Sequence, residues 1–249
     1  MSNIYKHYQG YELLIKQLEE GIRRYEKVPI PVDFGYMGPD SINVVRQFLG
    51  NRIPYELYGG YEEAFSKLLV IGEDTDPYDY ITCLKASYNP KFTTITHRDV
   101  LGTVYSLGID NSEFGDMWVE DSNIYLYTTK SMSSYIVNNM TRIRNSKVEF
   151  TELDYFPAQQ FKYRNFTITV SSYRLDRILA TSIRKSRQKC QELIRSSLIN
   201  VNYMTIEDCD FMCHNGDILS VRGIGRFKIG EEITVTRNGN IVIEMKQFI

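Results

Sequence analysis

The feature that most constrains the fold is a series of six segments in the middle of the chain, each with the residue pattern of a strand or of a helix. Strand patterns and helix patterns follow one another there in the order β-α-β-β-α-β. The six segments are Ile81 to Ala86, Thr96 to Leu107, Asp116 to Val119, Ile124 to Tyr127, Ser131 to Met140 and Lys147 to Glu152. Thr96 and Asp99 have the spacing of a capping box, which predicts where the first helix begins.

This order is the split βαβ plan of ferredoxin-like and RRM-like domains. We therefore predict an RRM-like RNA-binding domain over residues 77–155. Tyr125 and Tyr127 lie two residues apart on a predicted strand and would share one face of the sheet. Because this fold plan occurs in proteins with many functions, the plan alone suggests an RNA-binding role but does not establish it.

Residues 1–76, which precede the RRM-like domain, are predicted to form a separate N-terminal α/β domain. The expected elements are an amphipathic helix from Tyr11 to Ile22, a helix from Pro39 to Leu49, a strand from Ile53 to Leu57 and a helix from Tyr61 to Leu68. The acidic stretch from Glu73 to Pro77 predicts the boundary. With a linker from Asp154 to Phe166 and a third domain over 167–249, the chain is predicted to be of the α+β class.

The charge of the chain is unevenly distributed. The formal net charge is -2. The stretch from Arg174 to Arg195, however, holds seven basic residues against two acidic ones, Asp176 and Glu192. Such a concentration of positive charge is what a phosphate backbone attracts, although a solvated helix face would show it too.

The pattern around this basic run predicts a small domain of helices and strands. Leu175, Ile178 and Leu179 would form the buried side of a first helix. Ser186 is a favourable N-cap for a second helix that reaches Ile194. A helix N-terminus flanked by arginines favours phosphate binding.

Several separated motifs in this region together resemble the RNA-binding domain named after small-subunit ribosomal protein four, also called the alpha-L motif. They are Arg174-Leu175-Asp176, Ser186-Arg187, Val201-Asn202, Gly216-Asp217-Ile218 and Val221-Arg222-Gly223. The resemblance implies binding of structured ribosomal or transfer RNA. The contact residues it implies are Arg174, Arg177, Arg184, Lys185, Ser186, Arg187, Lys189, Arg222 and Arg226. Ser197 and Tyr203 depart from the pattern, since that domain often has glycine at both positions.

Motifs along nearly the whole chain are similar to those of the YlmH family. They include Tyr58-Gly59-Gly60-Tyr61, Thr96-His97-Arg98-Asp99, Phe114-Gly115-Asp116, Ser172-Tyr173-Arg174-Leu175-Asp176 and Arg222-Gly223-Ile224-Gly225-Arg226. The resemblance implies a bacterial RNA-binding factor without catalysis or cofactor, with a possible link to cell division. It would associate with the large ribosomal subunit, contact ribosomal RNA and peptidyl-tRNA, and act in the rescue or quality control of stalled ribosomes.

Composition and the remaining motifs limit the other classes. Without a long apolar run or a signal peptide, the chain is expected to be a cytoplasmic monomer that binds neither membrane nor DNA. The cysteines Cys83, Cys190, Cys209 and Cys213 are expected to be free thiols and not metal ligands.

The alternative function is an RNA-modifying enzyme, such as a pseudouridine synthase or an rRNA methyltransferase, with its active site in the middle domain. A pocket lined by His97, Asp99 or Asp116 would favour it. His97 and Arg98 could instead be additional RNA contacts.

Overall fold

A computed structural model describes residue 8 and residues 10–91, 93–202 and 204–249. The chain forms two compact units, Met1–Gln159 and Gln160–Ile249. Helices and mostly antiparallel strands occur in both units, in agreement with the predicted α+β class. None of the described helices is both long and apolar enough to cross a membrane.

The first part of unit 1 is a three-stranded sheet packed against two helices. Its elements are α1 (Glu12–Lys27), β1 (Val32–Met37), α2 (Pro39–Leu49), β2 (Tyr55–Tyr58) and β3 (Lys67–Ile71). The strands pair antiparallel in the order β1-β3-β2. Ile15 and Leu18 of α1, Val45 and Leu49 of α2 and Leu69 of β3 are buried in one cluster, so the helix predicted to be amphipathic buries its apolar face here.

The predicted helix from Tyr61 to Leu68 is wrong, because residues 61–66 form a loop and β3 begins at Lys67. The loop is held by a residue about fifty positions away. Asp116 accepts hydrogen bonds from the backbone N–H groups of Phe65 (2.7 Å) and Ser66 (2.9 Å) and from the Tyr61 hydroxyl (2.6 Å). These tertiary hydrogen bonds outweigh the weak local helix preference.

The second part of unit 1 is a four-stranded sheet with three helices and a two-stranded hairpin. Its elements are α3 (Pro77–Tyr80), β4 (Ile81–Ser87), α4 (His97–Ser106), a 3-10 turn (Asn111–Glu113), β5 (Phe114–Glu120), β6 (Asn123–Thr129), α5 (Lys130–Asn139), β7 (Arg142–Ile143), β8 (Ser146–Lys147) and β9 (Thr151–Glu152). The sheet is antiparallel in the order β5-β6-β4-β9, which is the strand order of the split βαβ plan.

The last predicted strand of this part is shorter than expected. Only Thr151 and Glu152 pair with β4, whereas Lys147 belongs to the separate two-stranded β7–β8 hairpin. Val148 and Phe150, between the two, are buried in the core beneath the sheet. The apolar residues of this segment therefore pack in the hydrophobic core and do not belong to a paired strand.

The two parts of unit 1 share a hydrophobic cluster, which we call the aromatic cluster. The first part contributes Tyr36, Leu68 and Val70, and the second contributes Ile81, Cys83, Trp118 and Tyr127. The domain boundary predicted near residue 76 stays a prediction, but the two segments on either side of it form one compact unit.

Unit 2 is a six-stranded antiparallel sheet packed against two helices. Its elements are β10 (Tyr163–Val170), α6 (Leu175–Ser182), α7 (Arg187–Arg195), β11 (Ile199–Val201), β12 (Met204–Thr205), β13 (Ile218–Val221), β14 (Gly225–Val235) and β15 (Ile241–Phe248). The strand order is β10-β15-β14-β13-β11-β12. β10 begins inside the predicted linker, because Tyr163 already pairs with Phe248 of β15.

Candidate RNA-binding surface

The pair of helices α6 and α7 places the basic run on the outside of unit 2. The apolar side chains Leu175, Ile178 and Leu179 of α6 are fully buried, as predicted. Ser186 caps α7, since its Oγ accepts a hydrogen bond from the backbone N–H of Lys189 at 3.2 Å. The basic residues that surround this cap are consequently directed away from the core.

A buried carboxylate lies between the two helices. Asp176 has no exposed surface, and its side chain accepts hydrogen bonds from Arg174 (Nε 3.3 Å, Nη2 3.2 Å), Arg187 (Nε 2.9 Å) and Gln191 (Nε2 2.7 Å). Burial alone would raise the pKa of Asp176. The hydrogen bonds from Arg174, Gln191 and Arg187 outweigh it and lower that pKa to about 2. Asp176 is therefore ionised at neutral pH and fixes the orientation of both arginines.

Arg174 is held more tightly than the other predicted contact residues. Besides Asp176, its guanidinium forms an ion pair with Asp210. The adjoining Leu175 N–H donates to the Phe211 carbonyl at 2.8 Å, which ties the start of α6 to the same loop. These ion pairs fix the orientation of the Arg174 guanidinium, whose side chain stays 27% exposed, and its RNA contact stays a prediction.

Five residues at the start of α7 form what we call the α7 basic surface: Arg184, Lys185, Ser186, Arg187 and Lys189. All five are exposed. Arg187 uses Nε for Asp176 and leaves 48% of its side chain exposed, and Lys189 forms an ion pair with Glu192 at 2.9 Å. Arg184 and Lys185 form no ion pair with any residue that the structure describes.

Arg177 lies apart from this surface, on α6. It is half-buried, and its Nε is buried without a hydrogen-bond partner among the described residues. A buried donor in that state is costly unless a ligand or water satisfies it.

Arg222 and Arg226 lie at the opposite end of α7. The Arg222 backbone N–H donates to the carbonyl of Leu198, just beyond the helix, at 3.0 Å. Nine residues of helix separate this point from Ser186, a distance of about 13 Å. Arg222 and Arg226 line a groove of ≈ 580 Å³, and the Arg226 guanidinium lies 4.7 Å from the centre of the Phe248 ring. Apart from Arg174 and Arg177 near the start of α6, the predicted contacts of unit 2 thus fall into two groups.

One of the two departures from the family pattern lies in the described part of the chain. Ser197 has φ +56°, a left-handed conformation that favours glycine. Its side chain donates to Glu207 at 2.5 Å, which holds this serine in the turn. Tyr203 lies outside the described residues.

His97 and Arg98 occupy the first turn of α4 in unit 1, and both are exposed. The predicted capping box is confirmed: the Asp99 carboxylate accepts from the Thr96 N–H (2.9 Å) and hydroxyl (2.7 Å). These hydrogen bonds lower the pKa of Asp99. His97 lines a shallow groove of ≈ 410 Å³ together with Tyr88 and Trp118.

The arrangement that an enzyme would need is not formed by these side chains. Asp99 is committed to helix capping, and Asp116 accepts three hydrogen bonds from the loop before β3. Neither aspartate lines the groove of His97. Across the described residues, no group of three or more His, Cys, Asp or Glu side chains is placed to hold a metal ion. The four cysteines are buried free thiols, and burial raises the pKa of Cys213 to about 12.

Comparison with known proteins identifies the class. Residues 76–156 match the family model described as "Putative RNA-binding domain in YlmH". The chain is 27% identical over 236 residues to the "Ribosome-associated protein quality control protein P2" of Bacillus subtilis (strain 168), a match that covers 91% of each protein. A similar solved structure, "Cell division protein ylmH from Streptococcus pneumoniae", has 18% identity and a TM-score of 0.49, and the match covers 61% of this chain and 93% of that one.

These matches define an RNA-binding protein. The resemblance predicted from the motifs is confirmed: the chain is similar to proteins of the YlmH family.

Proposed function

We propose that this protein is a non-enzymatic RNA-binding factor of the large ribosomal subunit, where it contacts ribosomal RNA and peptidyl-tRNA in the rescue or quality control of stalled ribosomes. The name of the Bacillus subtilis relative supports the ribosomal role. The commitment of Asp99 and Asp116 to structural hydrogen bonds supports a role without catalysis. A monomer in the cytoplasm is the state that we propose, and a link to cell division stays a prediction.

Three domains would divide this work. Residues 1–76 would form the N-terminal α/β domain, residues 77–155 the RRM-like domain and residues 167–249 the alpha-L domain. The strand order β5-β6-β4-β9 supports the second assignment. The helix pair α6–α7 packed on the C-terminal sheet supports the third.

The observation that carries this proposal is the α7 basic surface. It combines exposed cations with the N-terminus of a nine-residue helix, whose dipole attracts anions. Asp176 holds the Arg187 guanidinium in place, so less conformational entropy is lost when Arg187 binds a phosphate. Because this surface consists mainly of cations, it suits recognition of RNA through its phosphate backbone.

The test is co-sedimentation with purified large ribosomal subunits at several salt concentrations. The variant K185A/K189A removes two exposed cations from the α7 basic surface. We expect weaker binding and a fall of about 1.4 to 1.8 in the slope of log K against log salt, since each phosphate contact contributes about 0.7 to 0.9. The control R164A/R237A removes two exposed arginines elsewhere in unit 2 and should leave the slope unchanged.

Equal slopes for K185A/K189A and the control would show that this surface does not contact RNA. Crosslinking in cells, followed by sequencing of bound RNA, then tests the ribosomal role. Reads concentrated on one large-subunit rRNA helix and on transfer RNA are expected. Reads scattered over messenger RNA would contradict the role while leaving RNA binding intact.

A further inference from the structure

The sheet face that RRM domains use for stacking bases is covered in this protein. Tyr127 is fully buried and Trp118 is only 5% exposed, because both pack in the aromatic cluster against Tyr36, Leu68 and Val70. Gly60 lies so close to the Tyr127 ring that a Cβ there would be 2.1 Å from a ring carbon. RNA cannot stack on these rings without removing the first part of the unit. Any RNA contact of residues 76–156 therefore needs another surface.

The β7–β8 hairpin and the first turn of α4 together form such a surface. The turn residue Arg144 donates from Nη1 to the Thr94 carbonyl at 3.4 Å, and the same atom lies 3.7 Å from Oδ2 of Asp99. These contacts hold the hairpin next to the start of α4. The hairpin cations Arg142 and Lys147 are thereby brought to the side of the unit that carries Arg98.

The charges on this surface are not arranged for stability. Arg142 and Lys147 are directly opposite each other in the hairpin, and like charges in that position are destabilising. Arg98 lies at the positive end of the α4 dipole, which also disfavours a cation. Arg98, Arg142 and Lys147 are all exposed, and none has an acidic partner among the residues placed in the structure. A bound polyanion would relieve both repulsions.

We propose that Arg98, Arg142 and Lys147 bind the phosphate backbone of structured RNA, with His97 beside them and Arg144 as the positioning residue. We call this the hairpin surface. It rests on the proposed function and adds a second, separate RNA contact to the α7 basic surface. The hairpin surface would let residues 76–156 bind RNA while the aromatic face of their sheet stays buried.

The like-charge pair makes a sharp test possible in the full-length chain. K147E places an acidic residue opposite Arg142, so the melting temperature should stay equal or rise while RNA binding weakens. The probe is fluorescently labelled total transfer RNA, titrated at several salt concentrations. We expect affinity to fall about tenfold at low salt, since one contact is lost and one repulsion is gained.

The variant R142A/K147A provides the second measurement, because alanine removes both charges without adding a new one. We expect the salt slope to fall by about 1.4 to 1.8. The matched control K16A/K27A removes two exposed lysines from α1 of the same unit. If R142A/K147A and this control give the same slope, the hairpin surface does not bind RNA and the proposal is overturned.

The variant K185A/K189A, measured with the same probe, separates this result from the proposed function. If it weakens binding and R142A/K147A does not, the proposed function stands and the hairpin surface fails. If R142A/K147A weakens binding and K185A/K189A does not, the hairpin surface stands and the α7 basic surface fails. A lower melting temperature for K147E would contradict the like-charge argument, and the R142A/K147A slope would then decide.

Discussion

The sheet of the middle region and the helix pair of unit 2 both carry residues that RNA-binding domains use, but they expose them differently. The rings of Trp118 and Tyr127 lie on the middle sheet and are buried in the aromatic cluster. The cations Arg184, Lys185 and Lys189 lie at the start of α7 and are exposed. The fold plan of the first region is that of a base-stacking domain, yet the second region has the accessible chemistry.

The comparison shows that residue type alone does not reveal whether an aromatic side chain stacks on RNA bases or packs in the hydrophobic core. Burial of an aromatic side chain stabilises a fold by about 1.5 to 3 kcal/mol. A base stacked on an exposed ring contributes about 1 to 3 kcal/mol to binding. The two uses of the same ring are energetically similar, so the neighbouring elements decide between them. Here the β1-β3-β2 sheet occupies the face on which RNA would otherwise stack.

The largest expected effect is a loss of stability when the packing of Gly60 on the middle sheet is disturbed. Gly60→Ala would place a Cβ 2.1 Å from the Tyr127 ring, at a residue with φ +85°. We expect the free energy of unfolding to fall by about 3 kcal/mol, from overpacking plus backbone strain. Urea unfolding followed by the fluorescence of Trp118, the one tryptophan of the chain, measures it directly.

Gly239→Ala is the matched control for this change. Gly239 also has positive φ, +76°, but a Cβ there meets no atom within 4 Å. It should cost about 1 kcal/mol, from backbone strain alone. Equal losses for the two variants would mean that the aromatic cluster is not closely packed at Gly60.

A slightly smaller effect is expected at the carboxylate between α6 and α7. Asp176→Ala leaves the guanidinium groups of Arg174 and Arg187 without their buried partner. Both arginines are partly exposed, so we expect a loss of about 2 to 3 kcal/mol in stability, below the full cost of breaking a buried pair. Asp210→Ala, which removes an exposed partner of Arg174, should cost less than about 1 kcal/mol. A larger loss at Asp210 than at Asp176 would contradict this ranking.

The same carboxylate predicts a pH dependence. Its pKa is about 2 in the folded protein and 3.8 in the reference state, so the ionised form is favoured by folding. The stabilisation is present above pH 3.8 and is lost as the pH falls towards 2. It amounts to about 2 kcal/mol. The stability difference between the native chain and Asp176→Asn should therefore shrink between pH 5 and pH 2 in urea unfolding. A constant difference would show that Asp176 does not titrate in this way.

The smallest effect should be that of an aromatic residue at the rim of the middle sheet. Tyr125 stacks on Trp118 at 4.8 Å between ring centres, with the Lys85 ammonium 5.5 Å from its own ring centre. Because these partners occupy the ring, Tyr125→Ala should change RNA affinity by less than about twofold. A base stacked on Tyr125 would instead make the loss at least about fivefold. Titration with labelled transfer RNA distinguishes the two outcomes. The larger loss would show that the aromatic face of the middle sheet does bind RNA.

Local signals predicted much of this fold from the sequence. The capping residues Thr96 and Ser186 act within one helical turn, so the starts of α4 and α7 follow from a few neighbouring residues. The β14–β15 hairpin was not predicted, since irregular pairing around Glu232 interrupts its alternation of apolar residues. The stretch from Tyr61 to Leu68 was wrongly predicted as a helix because Asp116, far along the chain, determines the loop there.

The candidate site was predicted in the same partial way. Its charge was visible in the basic run, but the pairing of Arg174 with Asp176 and Asp210 was not, since the latter is distant in sequence. Arg142 and Lys147 carried no signal, because strands of two residues show no periodicity. Their opposition across the hairpin is visible only in three dimensions.

The order of strands in unit 2 has a consequence for the timing of its assembly. β10, the first strand of the unit, neighbours only β15 in the described sheet, and Val170 of β10 pairs with Ile241 of β15. During synthesis β10 must wait for about seventy further residues before its partner exists. Helices α6 and α7 need only local contacts and can form earlier. Throughout that interval β10 is an unpaired edge, the kind of edge from which misassembly begins.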